Sequence, residues 1–262
     1  MNTLESLGQG LRTAVGTLTV FPVGAARWDR ATMRWAMALA PVPGLVLGVA
    51  GAVLLWGGLA VGASPAVAAL LSVGALALLT RGLHLDGLAD LADGLGSARP
   101  ASGALEVMRR SDIGPFGVIT LIVVLGLQVA CLIQLADSGH ATAAVGLVVA
   151  VLAGRLAITW ACRTGVPSAR PEGLGAMVSS VLPWTTVALS STVVVLASWS
   201  LGLVGPWNGL WAPLSVVAGV AAAEGLRWHA VRRLGGITGD VLGAVAETGA
   251  TVTLVVAALL LA

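Results

Sequence analysis

The sequence predicts an all-α fold, a polytopic bundle of membrane-spanning helices. Hydrophobic residues make up 57% of the 262-residue chain and charged residues only 10%, whereas a soluble globular domain carries about 25% charged residues. The 35 glycines suit helices that pack closely in a membrane, and the nine tryptophans suit anchors at its interface. We therefore expect the lipid bilayer, rather than water, to surround most of the chain.

Seven stretches are long and apolar enough to cross a bilayer, which requires roughly 20 residues each. They are residues 38–61, 65–82, 114–136, 141–162, 181–203, 209–226 and 241–262. The second stretch is short and the last begins with polar residues, so about six to eight spans fit the pattern. We expect residues 1–262 to form one membrane domain, with a weakly amphipathic, interfacial segment at 1–22.

Charge is distributed unevenly once the seven spans are threaded alternately through the bilayer. The N-terminal segment and the loops at 81–113, 163–180 and 227–240 then share one side, which holds nearly all the arginines. Because cytoplasmic loops are enriched in Lys and Arg, we expect this face and the N-terminus to be cytoplasmic. Most carboxylates lie there too, and a bare membrane anchor would not need them, so this face is predicted to perform chemistry or bind a charged ligand.

Two classes of partner or chemistry find no support in the composition. The net charge is only +2, and no basic run is interleaved with aromatic residues, so we expect no nucleic-acid partner. Cys131 and Cys162 lie in apolar runs without metal-binding spacing, and they read as small core residues.

The segment TRGLHLDGLADLADGLGSAR, at residues 80–99, carries the strongest chemical signal. Asp86, Asp90 and Asp93 are spaced i, i+4 and i+7, which places them on one face of a helix. Unpaired carboxylates repel one another, and Mg²⁺ relieves that repulsion while also binding substrate phosphate oxygens. We predict a catalytic Mg²⁺ site here; the alternative is a solvated helix end paired with arginines. His84 lies off this face, and either a phosphate contact or a local hydrogen bond suits it.

A second segment, EVMRRSDIGPFG at residues 106–117, is predicted to bind phosphate. Arg109 and Arg110 offer planar forks of donors, and Ser111 precedes a predicted helix start that would add free backbone N–H groups. The alternative is a positive-inside pair that flanks a span. Arg81 and Arg170, in loops predicted for the same face, are further candidates for substrate binding, although the loop around Arg170 suits a simple connector equally well.

Two ionisable residues are predicted inside spans. Glu247 follows Asp240 by seven residues, so both lie on one face of the last span, with Glu247 about two turns deeper. Arg155 lies within the fourth span, where the alternative to a cavity is that its side chain extends to the membrane interface. Because an ionisable group in a membrane is costly unless it faces a polar cavity or a partner, we predict that Arg155, Asp240 and Glu247 line a substrate cavity.

Four motifs together resemble those of the cobalamin synthase family, the membrane-bound adenosylcobinamide-GDP ribazoletransferases. They are GLHLDGLADLADG at 82–94, MRRSDIGPFG at 108–117, ARPEGLG at 169–175 and GGITGDVLGA at 235–244. Their order also agrees, and the resemblance covers essentially the whole chain. Two positions depart from the family pattern. Arg110-Ser111-Asp112 replaces an Asp-Ser-Arg-like order, and Ala250 stands where a second acid often follows Glu247.

The resemblance implies transfer of the adenosylcobinamide phosphate group from adenosylcobinamide-GDP to α-ribazole or its 5′-phosphate, with release of GMP. It also implies Mg²⁺ as cofactor, a prokaryotic inner membrane as location, and either other cobalamin-assembly enzymes or further copies of the chain as partners. A CDP-alcohol phosphotransferase is the alternative in the same chemical class, but the required Asp-Gly-x-x-Ala-Arg start is missing after Asp86. A transporter that uses Arg155 and Glu247 is the alternative in a different class, and transporter sites usually lie at the midplane rather than at one face.

Overall fold

The computed structural model describes residues 3–24, 27–110 and 112–261, and these residues form α-helices joined by loops. The predicted all-α class is therefore confirmed. The helices are α1 Thr3–Leu18, α2 Arg30–Ala38, α3 Pro41–Ala60, α4 Pro65–Leu79, α5 Leu83–Gly96, α6 Ala101–Val107, α7 Pro115–Asp137, α8 His140–Ala161, α9 Leu174–Val178, α10 Trp184–Gly202, α11 Trp211–Leu234 and α12 Gly239–Leu260.

Local sequence signals place the ends of the long helices. Helices α3, α4 and α7 each begin with a proline, whose missing N–H is no loss because the first turn has no partner for it. Hydroxyl groups cap two helices: Ser64 accepts from the Val67 N–H at 3.4 Å, and Thr238 from the Val241 N–H at 3.3 Å. Helix α11 ends at Gly235, whose φ of 84° is left-handed and favours glycine.

All seven predicted spans are helical, and five of them pass as membrane spans on length and composition. These are α3, α7, α8, α10 and α12. Helices α4 and α5 bend by 88° at their junction and together pass as a sixth span. Helix α4 alone has 15 residues, or about 22 Å, which is short of a hydrocarbon core of about 30 Å. Helix α11 has 24 residues but carries charged side chains in its second half.

The core of the bundle lies around α8 and α12. In an 18-residue apolar stretch of α8, 83% is buried inside the protein, against 22% in the corresponding stretches of α7 and α10. Helix α8 is buried because it packs against α3, α10, α11 and α12. Small residues set the closest approach, since a Cβ added at Gly154 would lie 2.5 Å from the carbonyl oxygen of Ala246. Contact through small residues is the usual way in which membrane helices associate.

The loops that were predicted to share one face do meet there. Arg30 donates to the carbonyls of Ala176 and Ser179, at 2.8 and 2.9 Å. Arg170 donates to the Leu105 carbonyl at 2.8 Å, which joins the loop after α8 to α6. The Ala169 N–H donates to the Ile237 carbonyl at 3.0 Å, which adds the loop before α12. The start of α2, α6, the loop after α8 and the loop before α12 therefore form one surface of the protein, which we call the polar face.

A methyl group added at Gly154 is expected to destabilise the bundle by about 1–3 kcal/mol, because it must displace backbone rather than a flexible side chain. Gly225→Ala, in α11, is the matched control, since a Cβ there meets no atom within 4 Å. Thermal unfolding of Gly154→Ala and Gly225→Ala in one detergent, followed by tryptophan fluorescence, measures the difference. Equal midpoints would contradict the α8–α12 contact.

Candidate active site

A sharp turn between α4 and α5 positions the first two aspartates. Arg81 and Gly82 adopt left-handed backbone conformations, with φ of 56° and 68°, and glycine takes this conformation without strain. The chain then changes direction by 88° into α5. On this helix Asp86 is exposed and Asp90 is half-buried. Both carboxylates are therefore placed at the polar face with access to a ligand.

Helix α12 adds a further carboxylate, Asp240, to this pair. Its first turn lies directly on Gly87, where an added Cβ would be 2.8 Å from both the Cα and the carbonyl oxygen of Asp240. Thr238 donates its hydroxyl to Asp240 at 3.1 Å. Asp90 interacts electrostatically with Asp86 and Asp240 as well as with Asp93. Two helices thus concentrate negative charge in one place, which we call the carboxylate cluster: Asp86, Asp90 and Asp240.

Asp93 lies one turn further along α5 and has a different environment. Its carboxylate accepts from the Gly114 N–H at 2.7 Å and from the Gly117 N–H at 2.9 Å, so it caps the N-terminus of α7. Negative charge is favourable at that end of a helix. A Cβ at Gly117 would lie 2.5 Å from a carboxylate oxygen of Asp93. Both carboxylate oxygens of Asp93 accept hydrogen bonds from backbone N–H groups. A metal ion would have to bind their remaining lone pairs, and the metal role of Asp93 stays a prediction.

Two predicted phosphate-binding arginines adjoin the carboxylate cluster. Arg170 interacts electrostatically with Asp240, Arg109 and Asp90, and burial lowers the pKa of its guanidinium while the two carboxylates oppose that shift. Arg109 and Arg170 line a cavity of about 270 Å³ at the polar face, together with Glu106. Positive groups therefore stand beside the negative cluster, as binding of a metal-bound diphosphate requires.

The other predicted residues of the second motif lie nearby or outside the described part of the chain. Arg110 and Asp112 line a neighbouring cleft of about 200 Å³ with Asp93. Ser111 lies outside the described residues. Arg81 donates to the Gly16 carbonyl of α1 at 3.2 Å. Its predicted contact with substrate stays a prediction.

A second polar group lies deeper, within the bundle. Arg155 and His84 are 5% and 2% exposed, and they interact electrostatically. Glu247 interacts with Arg155 across a small cavity that both line with Gln128. Gln128 donates to Glu247 and to Thr251, each at 3.0 Å. His84 thus belongs with Arg155 and Glu247. We call these three residues, together with Gln128 and Thr251, the inner polar pocket.

Sequence reasoning missed Gln128, Thr251 and the two glycines that receive Asp93. A lone Gln inside a span is a signal for a buried polar partner. It also missed the contacts of Arg163. The guanidinium of Arg163 binds Glu224 at 2.6 and 2.9 Å and stacks on Trp160 and Trp184. Because Arg163 and Glu224 satisfy one another, with Arg227 at 3.0 Å from the same carboxylate, this group fastens α8 to α10 and α11.

The carboxylate cluster suits a divalent cation of the Mg²⁺ type. Within residues 3–24, 27–110 and 112–261, no three His, Cys, Asp or Glu side chains form a ready set of metal ligands. Mg²⁺ does not need one, because one or two carboxylates usually hold it while waters and substrate phosphates complete its shell. Asp86, Asp90 and Asp240 supply hard oxygen donors, and none of them is within 4 Å of a described cationic group in an ion pair.

Fold and site together define a polytopic membrane protein with a carboxylate cluster, arginines and a phosphate-sized cavity at one face. A family model described as cobalamin-5-phosphate synthase matches residues 10–258. The chain belongs to this family, and the resemblance found in its motifs is confirmed.

Relatives from several bacteria are similar over nearly their whole length. The adenosylcobinamide-GDP ribazoletransferase of Frankia casuarinae is 42% identical over 262 residues, which cover 95% of this chain and 94% of the relative. Proteins of the same name from a Nocardioides species and from Bradyrhizobium diazoefficiens are each 40% identical, over 93% and 98% of this chain and 95% of each relative. No solved structure matches the chain.

Asp93→Asn is expected to lower the free energy of unfolding by about 1–3 kcal/mol, because the amide loses charge-assisted acceptance at the start of α7. Gly117→Ala should act in the same direction by crowding the same carboxylate. Asp90→Asn is the control, since Asp90 accepts no hydrogen bond from a described residue and sits among like charges. Thermal unfolding in detergent compares the three variants, and an Asp93→Asn midpoint equal to that of Asp90→Asn would contradict the cap.

Proposed function

We propose that this protein transfers the adenosylcobinamide phosphate group from adenosylcobinamide-GDP to α-ribazole or its 5′-phosphate, with release of GMP. The product would be adenosylcobalamin or its 5′-phosphate. The activity for which the relatives are named supports this proposal. The observation that carries the proposal is the meeting of Asp86, Asp90 and Asp240 with Arg109 and Arg170 at one face, because cleavage of a diphosphate needs both a metal site and fixed positive charge.

Each group has a defined task in this reaction. Arg109 and Arg170 bind the oxygens of the diphosphate and hold it at the cavity they line. Asp86 and Asp90, with Asp240 beside them, hold Mg²⁺, which when bound neutralises charge on the transferred and leaving phosphate groups. A hydroxyl oxygen of the acceptor forms a bond to the adenosylcobinamide phosphorus while the bond from that phosphorus to the GMP oxygen breaks.

The proton of the attacking hydroxyl must leave during this step. Two acceptors suit it: an aspartate of the carboxylate cluster, or a phosphate oxygen of the departing GMP. Either route balances the reaction without a further reactant. Asp93 holds α7, and hence the turn that carries Arg110 and Asp112, close to the diphosphate.

The polar face is proposed to be cytoplasmic, in the cytoplasmic membrane of a prokaryote. Arginines concentrate at the loops of this face, and such loops stay on the cytoplasmic side during insertion. A nucleotide diphosphate and Mg²⁺ reach the carboxylate cluster from that compartment.

Asp90→Asn is expected to lower the rate of acceptor-dependent GMP release by about 100-fold or more, since one carboxylate of the metal site is lost. The measurement follows GMP release from adenosylcobinamide-GDP by purified protein in lipid, with and without Mg²⁺ and α-ribazole. Asp137→Asn, at the opposite end of α7, is the matched control and should retain wild-type rates. No release from folded wild-type protein would overturn the proposed function, whereas full activity of Asp90→Asn would move the metal site elsewhere.

Arg170→Lys is expected to raise the KM for adenosylcobinamide-GDP about tenfold, because lysine keeps the charge but loses the planar fork that binds two phosphate oxygens. Arg12→Lys in α1 serves as the control for a general effect of lost arginine. Steady-state kinetics at saturating acceptor separates KM from kcat. An unchanged KM for Arg170→Lys would remove Arg170 from the phosphate site.

A further inference from the structure

Two cavities adjoin between α4 and α7, on the membrane side of the carboxylate cluster. One is the small cavity of about 50 Å³ at the inner polar pocket, whose lining includes Arg155, Glu247 and Gln128. The other is an apolar groove of about 420 Å³ whose lining includes Gly74, Gly126, Val129 and Ile133. Both cavities are bordered by the same four residues, Val73, Ala77, Leu85 and Leu125. They therefore adjoin, and together they offer a binding space with a polar end and an apolar end.

The polar end has unused hydrogen-bonding capacity. Arg155 is 5% exposed, and its Nε has no hydrogen-bond partner among the described residues. No ion pair within 4 Å joins Arg155 to Glu247, although the two interact across the pocket. A buried charge without a partner is costly. A ligand between them would offer an acceptor to the guanidinium and a donor to the carboxylate, and a sugar hydroxyl offers both.

The apolar end suits an uncharged, apolar group. The groove is lined by aliphatic side chains, alanine and glycine, with no charged residue among them. A phosphate or a nucleotide diphosphate would lose its hydration there without compensation. An aromatic base attached to a ribose satisfies both ends at once.

We propose that this space binds the acceptor nucleoside of the reaction, with its aromatic base in the groove and ribose hydroxyls between Arg155 and Glu247. The proposal rests on the proposed function and specifies where the second substrate lies. Leu85 borders both cavities and immediately precedes Asp86. Asp240 and Glu247 lie on one face of α12, separated by about 10 Å along its axis. The ribose therefore lies within reach of a phosphate held at the carboxylate cluster.

The groove also offers the acceptor a path of entry. Helix α4 is short and turns away at Arg81, and its groove side includes Leu70, which is 59% exposed. In a membrane this exposed side faces lipid. An apolar base that partitions into the bilayer reaches the groove laterally, while the charged donor arrives from water at the polar face.

Filling the groove tests the base position directly. A Cβ at Gly74 or Gly126 meets no atom within 4 Å, so Gly74→Leu and Gly126→Leu each add a side chain to the groove lining at a position with free space around Cβ. Each is expected to raise the KM for α-ribazole at least tenfold while the KM for adenosylcobinamide-GDP stays within twofold. Gly57→Leu adds the same side chain at an equally open glycine of α3, outside the groove, and should leave both constants unchanged.

Glu247→Gln tests the ribose position, because it keeps the size of the side chain and removes its charge. Equilibrium dialysis of labelled α-ribazole against protein in lipid nanodiscs gives a readout that is independent of turnover, and weaker binding by at least tenfold is expected for this variant and for Gly126→Leu. Wild-type affinity in both variants would overturn the proposal. Wild-type GMP release is measured first, so that a failure of the proposed function, which abolishes release in every protein, is distinguished from a misplaced acceptor.

Discussion

The contact of α12 with α5 is the interaction on which the site depends. One glycine from each helix permits it: a Cβ at Gly87 would lie 2.8 Å from the backbone of Asp240, and a Cβ at Gly243 would lie 2.9 Å from the carbonyl oxygen of His84. Bulk at either position would separate the helices. Since α12 carries both Asp240 and Glu247, this single contact sets the positions of the carboxylate cluster and of the inner polar pocket relative to α5.

The charged groups at the polar face and those inside the bundle are stabilised in different ways. At the polar face, Asp86 and Asp90 retain access to water, so their mutual repulsion is screened until a cation binds. Inside the bundle, Glu247 and Arg155 have no such screening. Gln128 donates one hydrogen bond to Glu247 and another to Thr251, and these bonds hold the carboxylate in place. Ionisable groups are rare at this depth in a span, which is why we predict a functional role for Glu247 and Arg155.

The sequence alone was sufficient for the fold class and for the helix face that Asp86 and Asp90 share. Hydrophobic run lengths located a helix at each of the seven predicted spans, and helical periodicity put Asp86 and Asp90 on one face. It also put Asp93 there, but periodicity describes only the side that a residue occupies on its own helix. The cap at Gly114 and Gly117 depends on where α7 begins in space, which no local pattern specifies. Arg170 joins the site for the same reason, through a loop whose path is set by contacts with α6.

The spacing of the three aspartates therefore combines two tasks in one helix. Asp86 and Asp90 are accessible at the polar face, whereas Asp93, a turn further on, ties the end of α5 to the start of α7. Because α7 also carries Leu125, Gly126 and Gln128, the cap at its first turn fixes the wall of the groove as well as the turn that bears Arg110. A change at Asp93 is thus felt at the water-facing and lipid-facing ends alike, although no ligand needs to touch it. This coupling gives a physical reason for a carboxylate at that position that is separate from metal binding.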